Sequence, residues 1–321
     1  MVTHRTHDAP LGEPERSPER PAYRPQFGRV GIWTGQLDFQ PADDVRKAVA
    51  DVEALGYSAL WTGEAVGREV LTAAQLLLAS SDHLTVATGI ANIWARDAMA
   101  MVAGQYALAE AYPGRFLLGM GVSHAPLLEV RGQDYGRPLA QMRAYLDAMD
   151  VGLGVYRAVR PARLPPRVLA ALGPKMLELA RVRADGAHTY FVPPEHTATA
   201  RDILGSGKLL APEQAFVLER GAGRAREIAR RHTGSYLRLP NYVNNLRRFG
   251  FTDDDLAPPG SDRLVDAIVA WGDAEAIVRR VQDHLDAGAD HVSVQVLDPD
   301  RRGLPRTQWR ELAPALLSLT A

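Results

Sequence analysis

The sequence predicts an α/β fold, a (β/α)8 TIM barrel. Three observations carry this: eight short apolar or β-branched runs, the helical patterns that alternate with them, and a length that suits one barrel. Parallel βα units place a helix after each strand, whereas hairpins would leave only turn residues between runs. The runs are Arg29–Trp33, Ser58–Thr62, Leu84–Ile90, Phe116–Gly121, Arg167–Leu172, Ala187–Val192, Leu209–Leu218 and His291–Leu297. Eight is the number that closes a barrel. A chain of 321 residues could hold two average domains, but barrels of this length are routinely one, so a single domain over 28–321 is expected.

The helices are read from period and caps. In Asp43–Leu55, Val45, Ala48, Val49, Val52 and Leu55 fall on one face and Gly56 follows, the pattern of an amphipathic helix with a glycine stop. Asp273–Ala287 repeats the design, with Asp273 as N-cap, a stripe of Ile277, Val278, Val281 and Leu285, and Gly288 at the end. Further helices are predicted at Leu71–Ser80, Asp97–Ala111, Pro138–Tyr156, Lys175–Arg183, Pro194–Leu204 and Gly223–Arg231, with Gln308–Leu319 sealing the barrel. Two connections exceed the ordinary: Val122–Gln141 after strand four, and His232–Gly272 after strand seven. Long insertions in compact domains tend to be lids or binding loops. The second reads either as a pocket cover or as a surface helix excursion.

Met1–Phe27 carries Pro10, Pro14, Pro18, Pro21 and Pro25 among charges. It is expected to be a flexible proline-rich tail, and without an apolar run it is no secretory signal. No later segment approaches the roughly 18 consecutive apolar residues of a membrane span, and a cytoplasmic protein is expected. The net charge of −1 directs attention away from nucleic acid and anionic membranes toward small-molecule partners. The absence of cysteine excludes disulfides, thiolate metal sites and cysteine nucleophiles. No spacing among the histidines suggests a metal centre, and no Ser-His-acid set emerges. His83, His232 and His284 read as surface or helix residues.

Chemistry in such a barrel sits at the carboxyl ends of the strands. There the chain reads "LWTGE" (Leu60–Glu64), "VATGIANIWARDA" (Val86–Ala98) and "RFLLGMGVSH" (Arg115–His124), followed by "LGPKMLELA" (Leu172–Ala180), "ADGAHTYFVP" (Ala184–Pro193) and "LAPEQAFVLE" (Leu210–Glu219). Together, and in this order from Gly28 onward, they resemble the luciferase-like, deazaflavin-dependent oxidoreductases of actinobacteria. The resemblance implies coenzyme F420 as cofactor, with FMN as the alternative, and a homodimer. It also implies a bulge at Gly89 and Ile90, often with a non-prolyl cis peptide, against one face of the cofactor ring; the other reading is an ordinary bulge at a barrel rim.

"GPKMLELA" begins a helix after strand five, so backbone N–H groups near Gly173, Pro174, Lys175 and Met176 would form an anion site. The resemblance assigns it the cofactor's phosphate; otherwise it is a good turn and helix start. Ala187, His188, Thr189 and Tyr190 match positions that touch the phosphate and ribityl chain. Glu64, Asn92, Trp94, Arg96, Ser123, His124 and Tyr135 would ring the redox centre. Alcohol-oxidising relatives carry an acidic residue followed by histidine at the end of strand two, where this chain has Gly63 and Glu64.

Glu64 is then either an acid or base in place of that histidine or a rim carboxylate bonded to backbone or an arginine. His124 could bond the ring edge or move a proton, and Ser123 and Asn92 offer neutral hydrogen bonds. Trp94 and Tyr135 would wall the substrate, though Trp94 could equally pack beneath the next helix. The implied activity is hydride transfer between the deazaflavin and a C=C, C=N or C=O group, with Glu64 or His124 handling the proton. Its rivals are an FMN-dependent monooxygenase and a catalytically silent barrel acting as a binding protein.

Overall fold

The structure, a computed structural model, describes residues 27–320; the remainder of the proline-rich tail lies outside them. Ten parallel strands appear in chain order: β1 Val30–Trp33, β2 Ala59–Thr62, β3 Thr85–Thr88, β4 Ala91–Asn92, β5 Phe116–Gly121, β6 Arg167–Ala170, β7 Gly186–Thr189, β8 Leu209–Val217, β9 Ala270–Trp271 and β10 Val292–Val296. They run β10-β1-β2-β3-β5-β6-β7-β8, and the additional β10–β8 pairing closes the ring. The fold is the predicted barrel, and the non-prolyl cis peptide that the resemblance implies at Gly89 and Ile90 is present. The third run is broken at the cis Gly89–Ile90 peptide, after which β4 resumes beside β5. The second insertion contributes β9, which extends the top of β8.

Alternation along the strands sorts the core. Outward positions such as Ile32, Leu60, Val86, Leu118 and Val294 pack under the helices, while Ala59, Trp61, Ala87, Leu117, Val168, Leu209 and Ala211 fill the interior. Small residues there make room for rings: a Cβ on Gly31 would stand 2.8 Å from His291 Nε2 and from the Ala59 carbonyl. Trp61 stacks on His188 at 4.6 Å and donates its indole N–H to His291 Nε2 at 3.1 Å. His291 Nδ1 in turn meets the Gly28 carbonyl at 2.6 Å. A carbonyl only accepts, so His291 carries its proton on Nδ1 and receives at Nε2. Phe27, assigned to the tail by sequence, packs edge-on against His291 at 4.8 Å. Closing the barrel floor with an aromatic ring gives that residue a place in the fold.

The Asp273 cap read from sequence is in place, accepting from the Ala276 N–H, and Asp97 caps its helix in the same way by accepting from the Ala100 N–H. One helix runs longer than its pattern suggests, Ala222–Tyr236, and carries His232 with it. Beyond it the insertion folds into helices Pro240–Arg247, Asp253–Leu256 and Asp262–Ile268. Leu246, Leu256, Leu264 and Val265 join Phe191 and Val217 in a second apolar core above β7 and β8, which is why this segment is helical rather than a loose loop. The first insertion holds one short helix, Ala125–Val130. Among the described residues no helix is long and apolar enough to cross a membrane.

Candidate functional site

Glu64 follows β2 and is almost wholly buried. Its carboxylate accepts from the Asn92 N–H at 2.8 Å and the Val70 N–H at 3.4 Å, and it forms an ion pair with Arg96, which also reaches Glu69. The side chains of Glu64 and Arg96 are 3% and 9% exposed, so the pair is desolvated and each charge depends on the other. Of the two readings for Glu64, these contacts support the rim carboxylate held by an arginine. Arg96 therefore joins the loops after β2 and β4, and Asn92 serves the same loop through its Oδ1, which accepts from the Trp94 N–H at 3.0 Å. The Trp94 indole donates to the Val122 carbonyl at 3.1 Å, and its ring packs partly buried on the core.

Gly89 lies at the centre of the mouth. A Cβ there would sit 2.6 Å from Trp33 Nε1 and 3.1 Å from His188 Nε2, so only glycine fits. Trp33 donates to the Gly89 carbonyl at 3.2 Å. Ile90 leans its side chain over Gly121, where a Cβ would meet it at 2.7 Å. His188 donates from Nδ1 to the Ala211 carbonyl at 2.7 Å, leaving a buried Nε2 lone pair without a protein partner. Burial lowers its pKa to about 4, so the ring is neutral at physiological pH.

After β5, Ser123 adopts a φ of 58°, a left-handed turn that starts the short helix with His124 as its N-cap residue. The Tyr135 hydroxyl donates to the Ser123 carbonyl at 3.2 Å, which ties the first insertion to this turn. His124 Nδ1 is buried without a protein partner, and burial holds the imidazole below its ordinary pKa against a contact with Asn241 that raises it. Tyr242, on helix Pro240–Arg247, lies 5.4 Å from His124, 6.5 Å from Tyr190 and 5.4 Å from Phe191 between ring centres. It bridges the mouth from the end of β5 to the end of β7.

At the end of β6, Gly173 precedes helix Pro174–Arg183 and no side chain caps it. Met176 is a correction: its N–H bonds the Gly173 carbonyl at 3.0 Å and is not free for a guest. Pro174 has no N–H to offer, and Lys175 points to solvent. The positive group closest to Gly173 is instead Arg248, whose Nη1 lies 3.3 Å from the place of a Gly173 Cβ. Its hydrogen bond is to Asn245 Oδ1 at 3.4 Å, and no carboxylate pairs with it among the described residues.

Ala187 is the second correction. Alternation turns its methyl outward into the layer between sheet and helices, away from the mouth, and Thr189, two residues on, follows the same parity; its Oγ1 is buried and lacks a protein partner. Tyr190 does reach the mouth, donating to Gln295 Oε1 at 2.8 Å and accepting from the Tyr236 hydroxyl at 3.1 Å. Beneath it sits Glu213 of β8. Burial pushes the pKa of this carboxyl up to about 8, Oε2 accepts a long bond from the Phe191 N–H at 3.4 Å, and Oε1 has no partner.

The model of the luciferase-like monooxygenase family matches residues 25–208, more than half the chain. The chain belongs to that family. A protein of Mycobacterium tuberculosis named for coenzyme F420-dependent oxidoreduction is 26% identical over 208 residues, 56% of this chain and 60% of its own length, so the chain spans about three-fifths of that relative. Among solved structures, an F420-dependent secondary alcohol dehydrogenase in complex with an F420–acetone adduct superposes with a TM-score of 0.73 at 14% identity, covering 91% of this chain and 99% of that one. The FMN-bound oxygenating constituent of 3,6-diketocamphane monooxygenase from Pseudomonas putida reaches 0.64 at 12% identity, covering 92% and 98%.

In this luciferase-like barrel the strand ends bring Gly89, Ile90, His124, Gly173 and Tyr190 to one mouth. Sequence reading missed Trp33, Glu213, His232 and Arg248, and reached Tyr242 only as part of an insertion read either as a pocket cover or as a surface helix excursion. Trp33 was legible as the last residue of the first strand, and an acidic residue inside an otherwise apolar strand marked Glu213. His232, read as a surface or helix residue, lies on helix Ala222–Tyr236 with a buried Nε2 without a partner, against Tyr236 at 4.8 Å. His284, read as a surface or helix residue, lies on helix Ala274–Asp286 and is fully buried between Thr197 and Gln214 at 2.8 and 2.9 Å, where it joins that helix to β8.

Proposed function

We propose that the chain is an oxidoreductase that transfers a hydride between coenzyme F420 and a small organic substrate with a C=C, C=N or C=O group. The observation that carries the reading is Arg248. An arginine without a carboxylate partner, set against the uncapped start of helix Pro174–Arg183, is an anion site whose guest is not supplied by the protein. The donor set fits a phosphorylated ligand there. Two buried polar atoms lack protein partners, His188 Nε2 beside Gly89 and His124 Nδ1 after β5, and a polar ring edge could use both.

The bound deazaflavin supplies the hydride chemistry; the chain's residues position, shield and move a proton. Gly89 and Ile90 form the floor for the ring, with Trp33 fixing the peptide through its hydrogen bond to the Gly89 carbonyl. His124, neutral through burial, accepts or returns a proton at its free nitrogen. Glu64 does not handle the proton in this reading; it holds Arg96 and the Asn92 backbone, and so positions the floor. Tyr242 closes the gap above, making helix Pro240–Arg247 a cover that opens to admit the ring and then excludes water. A homodimer and a cytoplasmic location belong to the same reading.

Fluorescence titration of the purified protein with F420 and, separately, with reduced FMN tests it. Preference for F420, lost on Arg248→Glu, is expected. Preference for FMN supports the monooxygenase reading that the FMN-bound neighbour favours, and binding of neither leaves a silent barrel.

A further inference from the structure

A separate cavity adjoins Trp33. It lies between the ends of β1 and β10 and the helix Ala222–Tyr236, with a volume of about 180 Å³. Drug-sized ligands occupy roughly 300–1,000 Å³, so this space suits a smaller molecule than a tricyclic cofactor. Trp33 lines it while donating to the Gly89 carbonyl at 3.2 Å, so the cavity and the proposed ring floor share one wall.

We infer that this cavity is the substrate subsite, and that it takes a small organic anion, a carboxylate on an aromatic or branched aliphatic body. The body is accommodated by Trp33, Phe39, Ile228 and Leu297, which line it. Arg231 and Arg301 bring two positive charges to the same cavity against one acid, Asp298. That acid is committed elsewhere: Oδ1 accepts from the Asp300 N–H at 2.9 Å and Oδ2 from the Gln308 amide at 2.6 Å.

Arg301 pairs with no carboxylate among the described residues, and Arg231 reaches only the exposed Glu227, at 3.4 Å. A carboxylate entering between them gains charge-assisted hydrogen bonds without displacing an internal partner. Two neutral donors complete the recognition. Gln295 has its carbonyl engaged by the Tyr190 hydroxyl at 2.8 Å, which leaves its NH2 to the cavity. His232 keeps Nε2 buried and unpartnered, and burial together with the Arg301 charge pushes its pKa down to about 3, so its ring adds polarity without charge.

That the occupant is the hydride partner rests on the F420 reading; that the cavity binds small carboxylates does not. Saturation-transfer NMR and calorimetry, without cofactor, use benzoate and 3-methylbutanoate against benzyl alcohol and 3-methylbutanol. Both acids are expected to bind at least tenfold more tightly than their alcohols. Arg301→Ala and Arg231→Ala each weaken them at least tenfold, and Arg279→Ala, on the outer helix layer, changes nothing. Equal binding of acid and alcohol, no binding of either acid, or full affinity in both variants overturns the proposal. F420 titrated into the wild type and Arg301→Ala separates the two claims: affinity is expected to be the same in both. Acids bound without F420 sink the cofactor reading alone, and F420 bound without the acids sinks this one alone.

Discussion

Two sides of the barrel mouth use buried polar groups in opposite ways. Where β2 and β4 end, Glu64 receives two backbone N–H groups and a guanidinium, and the Asn92 side chain is spent on the Trp94 backbone. Across the mouth, towards β7 and β8, His188 Nε2, Glu213 Oε1 and His232 Nε2 are buried with no protein partner. A closed network fixes shape, because removing any member strands the others. An open one stores hydrogen-bonding capacity for whatever enters. The first side is built as a frame and the second as a receptor, and of the two readings the sequence leaves for Glu64 the contacts favour the rim carboxylate held by an arginine.

The largest effect should come from breaking the frame. Glu64→Ala leaves Arg96 buried beside Glu69 alone and is expected to cost about 3–5 kcal/mol in urea denaturation, with Glu64→Gln costing less. On the receptor side, His124→Gln should lower turnover by about 10²-fold or more while leaving F420 affinity within a few-fold; an unchanged rate removes His124 from the proton's path. Arg248→Ala should weaken F420 by roughly tenfold to a hundredfold with little change in stability, the worth of a charged hydrogen bond of about 1.5–3 kcal/mol. Loss of folding rather than binding would make Arg248 part of the frame.

Glu213 gives a pH signature. The folded chain keeps this proton up to about pH 8, whereas at its ordinary value of 4.5 the unfolded chain releases it. Stability contributed by the neutral acid therefore falls as pH rises from 4.5 to 8. The buried histidines run the other way: His188, His196 and His291 are held near 4 by burial, so their contribution is lost as pH drops below 6.5. From pH 7 to 8 the two slopes oppose each other, the histidine part fading as the unfolded chain loses its last imidazolium protons. The Glu213 part is at most about 1.4 kcal/mol per pH unit for one proton. Urea midpoints from pH 7 to 8 should fall in the wild type relative to Glu213→Gln, which keeps only the rising histidine slope. The smallest change belongs to Trp94→Phe, which loses the bond to the Val122 carbonyl and should cost about 1 kcal/mol by the same measurement.

Legibility followed the range of the interaction. The strand runs and the Asp273 cap were readable because period and capping act over a few residues, whereas Gly89 was reached through the family resemblance, since Trp33 and His188, which leave room only for glycine there, lie far away in the chain. Ala187 was misplaced because a motif match carries position along a strand but not the side to which each residue turns. His232 was misread because the pattern ended its helix one residue before it, and the apolar contacts that extend that helix come from elsewhere in the chain.

The sequence by itself determined the eight βα units, their order and hence the barrel, since hydrophobic periodicity is written residue by residue. Tertiary structure alone decided that Glu64 meets Arg96, that Arg248 comes to Gly173 from 75 positions away, and that Tyr242 spans the mouth. Those pairings are set by how the late insertion folds back over β7 and β8, and the energy of such contacts depends on distances that no local pattern of residues encodes.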